Sequence, residues 1–301
     1  CMNFFKNVLA SLLGLIIFSF LFFLILIGIA AAGEGEKTVN VEPSSILYIR
    51  LSGVLQERTT EDPLKDLFPE VAISEIGLHD LVSTIRHSKE DERIEGIYLD
   101  HKLLSGGFAS LKEIRDILVD FKSSGKTIYA YGEYISEGDY YLASAADVFF
   151  LHPEGSLEFN GLMANITFFK GLFEKLEIKP EIFRVGAFKS AVEPYLRKNM
   201  SSENRLQYTS LLNNIYDIYL NDVSQSRDVQ KGDLSRYSKE LQVQVPEDAY
   251  RLNLVDSLGY KDELKSLIAS DLGVAEISDL NFISYQNYKK SYKKKYAKDK
   301  I

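Results

Sequence analysis

Gly96-Ile-Tyr-Leu-Asp100, then Gly106-Gly107, then the apolar positions Leu111, Ile114, Ile117, Leu118 and Phe121, then Ser124-Gly125 and Lys126-Thr-Ile-Tyr-Ala-Tyr131: this stretch decides the fold. Two short β-branched and aromatic runs bracket a segment with helical spacing, and glycines mark both joints. Working outward, Ser45–Leu51 reads as an earlier strand between Pro43 and Gly53, and Leu78, Leu81, Val82 and Ile85 have helical spacing. Residues 54–75, polar and holding Pro63 and Pro69, read as a surface excursion. On the other side a short helix around Tyr140–Ala145 leads into the strand Asp147–Leu151. Strands and helices alternating at this interval need right-handed crossovers, so an α/β domain with a mainly parallel sheet is expected. Further on, the spacing predicts a helix near Thr167–Leu176, a strand Glu181–Val185, and a long helix from about Glu203 to Val223. Closing helices are expected at Pro246–Leu252 and Lys261–Ser270.

From Val8 to Ala32 no residue is charged. As a helix this run reaches about 37 Å, enough to cross a hydrocarbon layer ~30 Å thick with some tilt. A soluble protein would need a large core to hide such a cylinder. Ala30-Ala31-Ala32 resembles a signal cleavage site, but signal cores are only about 7–15 residues, so a retained anchor is expected at 8–32. Lys6 then places residues 1–7 in the cytoplasm and the domain outside. Residues 33–44 read as a linker and 45–275 as the folded domain.

The formal charge is −8, with seven lysines and one aspartate between Gln286 and Ile301. An acidic body argues against a nucleic-acid partner. The lysine block offers itself to anionic lipid, but such blocks usually stay solvated, so 276–301 is expected to be a basic linker. Cys1 is the only cysteine, which excludes an intrachain disulfide and a cysteine zinc site. His79, His87, His101 and His152 follow no ligand spacing, and each reads as an ordinary surface or half-buried residue. Neither metal nor cofactor is expected. Cys1 precedes Met2, which reads as a non-native first residue, and the end at Ile301 without turn or cap reads as a cut.

Phosphate-loop, dinucleotide and H-E-x-x-H motifs are absent. Tyr134-Ile-Ser136-Glu-Gly138 misses the first glycine of a nucleophile elbow. Ser136 reads instead as a helix N-cap, with Asp139 three residues on. Gly106-Gly107, between a strand and a helix, lets backbone N–H groups converge on an oxyanion; as a common turn pair it is a weak signal alone.

Phe183-Arg-Val-Gly-Ala-Phe-Lys-Ser-Ala-Val-Glu-Pro-Tyr195 carries more information, together with Gly138-x-Tyr-Tyr-Leu-Ala-Ser144 and Asn253-Leu-Val-Asp-Ser-Leu-Gly259. In these elements the chain resembles signal peptide peptidase A (protease IV), in its long two-repeat bacterial form. The resemblance runs from the anchor to the last residue and matches the first repeat. It implies a crotonase/Clp-protease-like spiral of ββα units behind one transmembrane helix. It also implies a Ser/Lys dyad that cleaves remnant signal peptides, no cofactor, and a homotetrameric assembly at the lipid bilayer. The family's general-base lysine maps to Lys189, with Ser190, Glu193, Gly106 and Gly107 in support. Its serine belongs to the second repeat, and the matching position here is Glu137. This chain is therefore expected to supply the lysine half and to be inactive alone.

A lysine acts as a base only where burial or a neighbouring cation favours its neutral form. Ala187, Phe188, Ala191 and Val192 suggest dry surroundings for Lys189, whereas most lysines stay solvated. If the segment is helical, Glu193 is an i,i+4 partner that would hold the lysine charged, unless it turns away toward Arg184 or Arg197. The alternative reading is a catalytically empty scaffold or peptide-binding domain of the same fold. An acyl-CoA enzyme of that fold is disfavoured by the anchor.

Overall fold

The computed structural model describes residues 2–33, 39–59, 75–183, 186 and 188–298. The chain divides into two compact units, one of Cys1–Asn40 with Lys290–Ile301 and one of Val41–Lys289. In the first, helix α1 spans Met2–Gly33 and is long and apolar enough to cross a membrane. Residues 34–38, within the expected linker, lie outside the described part.

The second unit is built on parallel strands: β1 (Ser45–Gln56), β2 (Glu75–Gly77), β3 (Ile94–Ser105), β4 (Thr127–Ile135), β5 (Val148–Leu157), β6 (Ser257–Leu258) and β7 (Asn281–Ser284). Their order is β2-β1-β3-β4-β5-β6, with β7 beside β1. Helices α2 (Leu78–Glu90), α3 (Phe108–Lys122) and α4 (Glu137–Ala143) make the crossovers. Because β1, β3, β4 and β5 are laid down in one direction, crossovers of one hand put their helices on one face. This is the expected spiral. The second strand of each ββα unit is the continuation of the first past a break in register, at Ser52/Gly53, at Leu103, and between Gly132 and Tyr134.

The crossover face buries Leu81, Ile85, Leu111, Ile114, Leu118 and Phe121, the positions that the helical spacing singles out. The opposite face is closed by α10 (Lys261–Asp271), whose Leu264 and Ile268 pack on Ile46, Tyr98, Tyr129 and Tyr131. Between β5 and α10 the chain forms α5 (Lys170–Lys175), a 3₁₀ turn (Ser190–Val192), α6 (Glu193–Leu196), α7 (Ser202–Arg227), α8 (Lys231–Lys239) and α9 (Pro246–Arg251). The buried Arg115 of α3 ties α7 to this layer. Its guanidinium donates to Tyr141 O, Ser144 Oγ, Asp222 O and Ser226 Oγ.

Three expectations need correction. Glu181–Phe183 is not a strand, because the place beside β5 is taken by β6; residues 184 and 185 of that expected strand lie outside the description. Of the 54–75 excursion, Val54–Gln56 complete β1 and Glu75 opens β2, while 60–74 lie outside the description. Of the expected basic linker at 276–301, residues 281–284 and 285–298 form regular elements, and 299–301 lie outside the description. β7 covers the open edge of β1 from Ser45 to Tyr48, and helix α11 (Tyr285–Lys298) follows. An uncovered edge would leave a row of backbone groups unpaired. Tyr285 and Tyr288 are buried, Tyr288 donates to Asp91 at 2.8 Å, and Lys289 bonds Asp80.

Candidate active site

Two loops meet at the carboxyl ends of β3 and β4. The β3–α3 loop carries Gly106 and Gly107, and Gly107 is the N-cap of α3. A side chain at Gly106 would stand 3.0 Å from the Leu55 side chain, closer than ordinary contact, so Leu55 would have to shift to admit it. The β4–α4 turn carries Ser136, Glu137 and Gly138. The buried Asp139 fastens the two loops together, accepting from Leu104 N at 3.2 Å, Ser136 Oγ at 2.6 Å and His101 Nδ1 at 3.3 Å. Burial pushes the Asp139 carboxyl up, but the bonds from His101, Ser136 and Leu104 outweigh it and leave it below the usual range.

Ser136 is the N-cap of α4, as its spacing to Asp139 predicts, and accepts from Asp139 N at 3.1 Å. Its hydroxyl is committed at both ends to Asp139. His101 corrects the reading of an ordinary histidine: it is 1% exposed on the inward face of β3, and its Nε2 has no partner among the described residues. Sequence spacing misses this pair because 38 residues separate His101 from Asp139.

Glu137 stands in the expected nucleophile position. Its carboxylate accepts from the backbone N–H of Asn160 at 3.2 Å and of Gly161 at 3.0 Å. Burial pushes this carboxyl from 4.5 up to about 7, opposed by those two bonds. The folded state therefore binds this proton more tightly than the unfolded chain does. The stabilisation is complete below pH 4.5 and is lost as pH rises through 7. The Glu137→Gln variant is expected to be as stable as the parent at pH 5 and more stable at pH 8, by up to about 3 kcal/mol. Urea unfolding at the two pH values measures this, and equal gains at both would remove Glu137 as the cause.

Lys189 lies elsewhere. It is solvent-exposed at the head of the 3₁₀ turn, with φ −89° and ψ 73°. The dry surroundings expected of it are not supplied by its neighbours. Among the described residues Phe188 and Ala191 are exposed and Val192 is half-buried; Ala187 falls outside the described residues. Ser190 Oγ donates to Gln207 Oε1 on α7 at 3.0 Å. Glu193 is buried and turns to the start of α7, where Ser201 and Asn204 donate to it. Burial pushes its carboxyl up, and the Ser201 and Asn204 bonds bring it below the usual range.

Helix α7 gives the distance between the two places. The lysine loop is bonded at Ser201 through Glu193 and at Gln207 through Ser190, whereas Gly161, which binds Glu137, lies 4.0 Å from Tyr216 by its would-be side chain. The nine residues from Gln207 to Tyr216 span about 13 Å of helix. The structure thus brings Gly106, Gly107 and Glu137 together and holds Lys189, Ser190 and Glu193 apart from them. Among the described residues no group of His, Cys, Asp or Glu could hold a metal ion.

The chain belongs to peptidase family S49, whose model matches residues 120–275. It is 30% identical over 281 residues to Protease 4 of Haemophilus influenzae, covering 89% of this chain and 46% of that protein. Against Protease 4 of Salmonella typhi the identity is 31% over 288 residues, with the same coverage of each chain. The chloroplastic serine protease SPPA of Arabidopsis thaliana is 31% identical over 249 residues, covering 83% of this chain and 35% of that protein. The chain spans less than half the length of these relatives.

Proposed function

We propose that this chain is the lysine-bearing half of a membrane-anchored serine endopeptidase that degrades remnant signal peptides, with Lys189 as general base. The observation that carries this reading is the separation along α7. With about 13 Å of helix between Gln207, which Ser190 bonds, and Tyr216, beside the Gly161 that binds Glu137, Lys189 serves a serine that arrives from another repeat or another copy. Glu137 at this repeat's own nucleophile position agrees with that division of labour. Residues 8–32 hold the domain to an inner membrane as a single pass, with the N-terminus cytoplasmic. Signal peptides and the bilayer are the partners, and a homotetramer is the assembly. Large apolar side chains left exposed between β5 and the 3₁₀ turn support association with a further repeat or copy, among them Met163 at 84% and Phe183 at 97%.

A serine-directed fluorophosphonate tests the proposal on carbonate-washed membranes. The full-length protein is expected to stay in the pellet and to be labelled at a serine outside residues 1–301, with residues 1–301 expressed alone unlabelled. Stoichiometric labelling of Ser136 or Ser190 would overturn the division between halves. Absence of labelling in the full-length protein would favour the empty scaffold.

A further inference from the structure

The start of α7 has an incomplete cap within its own sequence. Ser201 is the N-cap, and Asn204, at the third helical position, donates its backbone N–H to Ser201 Oγ at 3.1 Å. That is one half of a capping box. The other half needs a glutamate or glutamine at the third position, accepting the N–H of the cap residue. Asn204 does not do this. Glu193 does it from eight residues upstream, accepting Ser201 N at 3.0 Å with Oε2. The same oxygen accepts Asn204 Nδ2 at 3.1 Å, and Oε1 accepts Ser201 Oγ.

Glu193 is 2% exposed, and all three bonds to it come from the first turn of α7. A buried carboxylate is tolerated where it is fully bonded, and a helix N-terminus supplies both donors and a favourable dipole. α7 is 26 residues long, the longest helix of its unit, and Arg115 bonds its far end to the core layer. A loop fixed to its N-terminus is therefore fixed to the body of the protein. Between Glu193 and Lys189 lies a single 3₁₀ turn, whose Ser190 makes a second bond one turn further along α7, to Gln207. These two bonds rest on one helix, while the residues just after Glu193 are also held from the α5 side, where Phe169 N donates to Pro194 O at 2.7 Å and Tyr195 stacks on Phe173.

We propose that Glu193 is a positioning residue for Lys189, completing the cap of α7 from outside and thereby holding the lysine loop in register with a serine it does not carry. The inference rests on Lys189 being the base. Ser190 shares the task through Gln207. The charge of Glu193 is spent on α7, which answers the concern that it would neutralise the lysine it follows.

Kinetics of the full-length protein test this. Glu193→Ala is expected to lower kcat about 10–100-fold with KM within about twofold, the size of effect that follows from misplacing a catalytic group. Glu193→Gln keeps an acceptor for Ser201 and can pair its amide with the Asn204 Oδ1 that now has no partner. It is expected to recover kcat to within about fivefold of the parent. The joint variant Ser201→Ala/Asn204→Ala, which removes the two side-chain donors and leaves the backbone N–H of residue 201, should reproduce part of the Glu193→Ala loss. In a Lys189→Ala background, Glu193→Ala is expected to cost nothing further. An equal fold-loss in both backgrounds would mean that Glu193 acts through general stability, and the proposal falls with the dyad intact. Unchanged kcat in Glu193→Ala, beside a dead Lys189→Ala, overturns it in the same way. Full activity of Lys189→Ala would remove the base itself, a distinct result that ends both readings.

Discussion

Replacing Lys189 by alanine in the full-length protein is expected to lower turnover by at least ~10²–10⁴-fold while fold and assembly survive. The loop accounts for the survival. Lys189 is exposed, and the bonds that fix its backbone come from Ser190 and Glu193, which the substitution leaves in place. Lys189→Arg should fail equally, because a guanidinium keeps its proton and cannot accept one from a serine. Ser190→Ala should cost less than either, since it removes only the bond to Gln207. Peptide-cleavage rates, with circular dichroism and gel filtration as controls, measure these differences. Substantial turnover in Lys189→Ala would leave the family relation as one of fold, and would return weight to a scaffold that binds peptides without cutting them.

Arg115→Ala is expected to be the most damaging single change to stability. The side chain is 2% exposed and serves four acceptors on two elements, two of them carbonyl oxygens. It also lies over the ring of Tyr141, with the guanidinium carbon 4.8 Å from the centroid. Removing it takes away four hydrogen bonds, at about 1–3 kcal/mol for each acceptor left unsatisfied, although Tyr141 O keeps its bond from Ser144 Oγ, and opens a cavity in a packed layer. A loss of about 4 kcal/mol follows if only part of that is recovered by water. In a domain of this size that shifts Tm by roughly 8–16 °C. Arg115→Lys should rescue little, because one ammonium group cannot span Tyr141 and Asp222 together. Thermal unfolding of the three proteins decides the matter, and a shift of only a degree or two in Arg115→Ala would show that α7 is held by its other contacts. The same variant also bears on the lysine loop, since a loosened α7 carries Ser201 with it.

How much was legible in the sequence differs between the layers of the molecule. The spacing of Leu111, Ile114, Leu118 and Phe121 locates α3 and its inward face, because a helix with one apolar stripe repeats every 3.6 residues wherever it packs. The short apolar runs at Ser45, Gly96 and Lys126 locate strands for the same local reason. Ser136 with Asp139 identifies the cap of α4, since both partners of that bond lie within one turn. The uncharged run at 8–32 falls within helix α1, which is long and apolar enough to cross a membrane, because length and composition alone set that capacity.

Four outcomes depended on partners distant in the chain. The linker at 276–301 becomes β7 and α11 because β1 has an open edge and Asp80 and Asp91 wait nearby, and nothing in a four-residue strand announces its neighbour. His101 becomes a buried partner of Asp139 only when β3 and α4 are side by side. Glu193 could be paired with Lys189 by helical spacing, but the backbone at Lys189 is not helical and α7 offers the carboxylate better donors. The separation of Lys189 from Glu137 comes from the length of α7, which the sequence gives, and from which residues touch it, which the sequence does not. Local periodicity and capping follow from bonds within a few residues; site geometry is set by contacts between elements, and only folding selects among those.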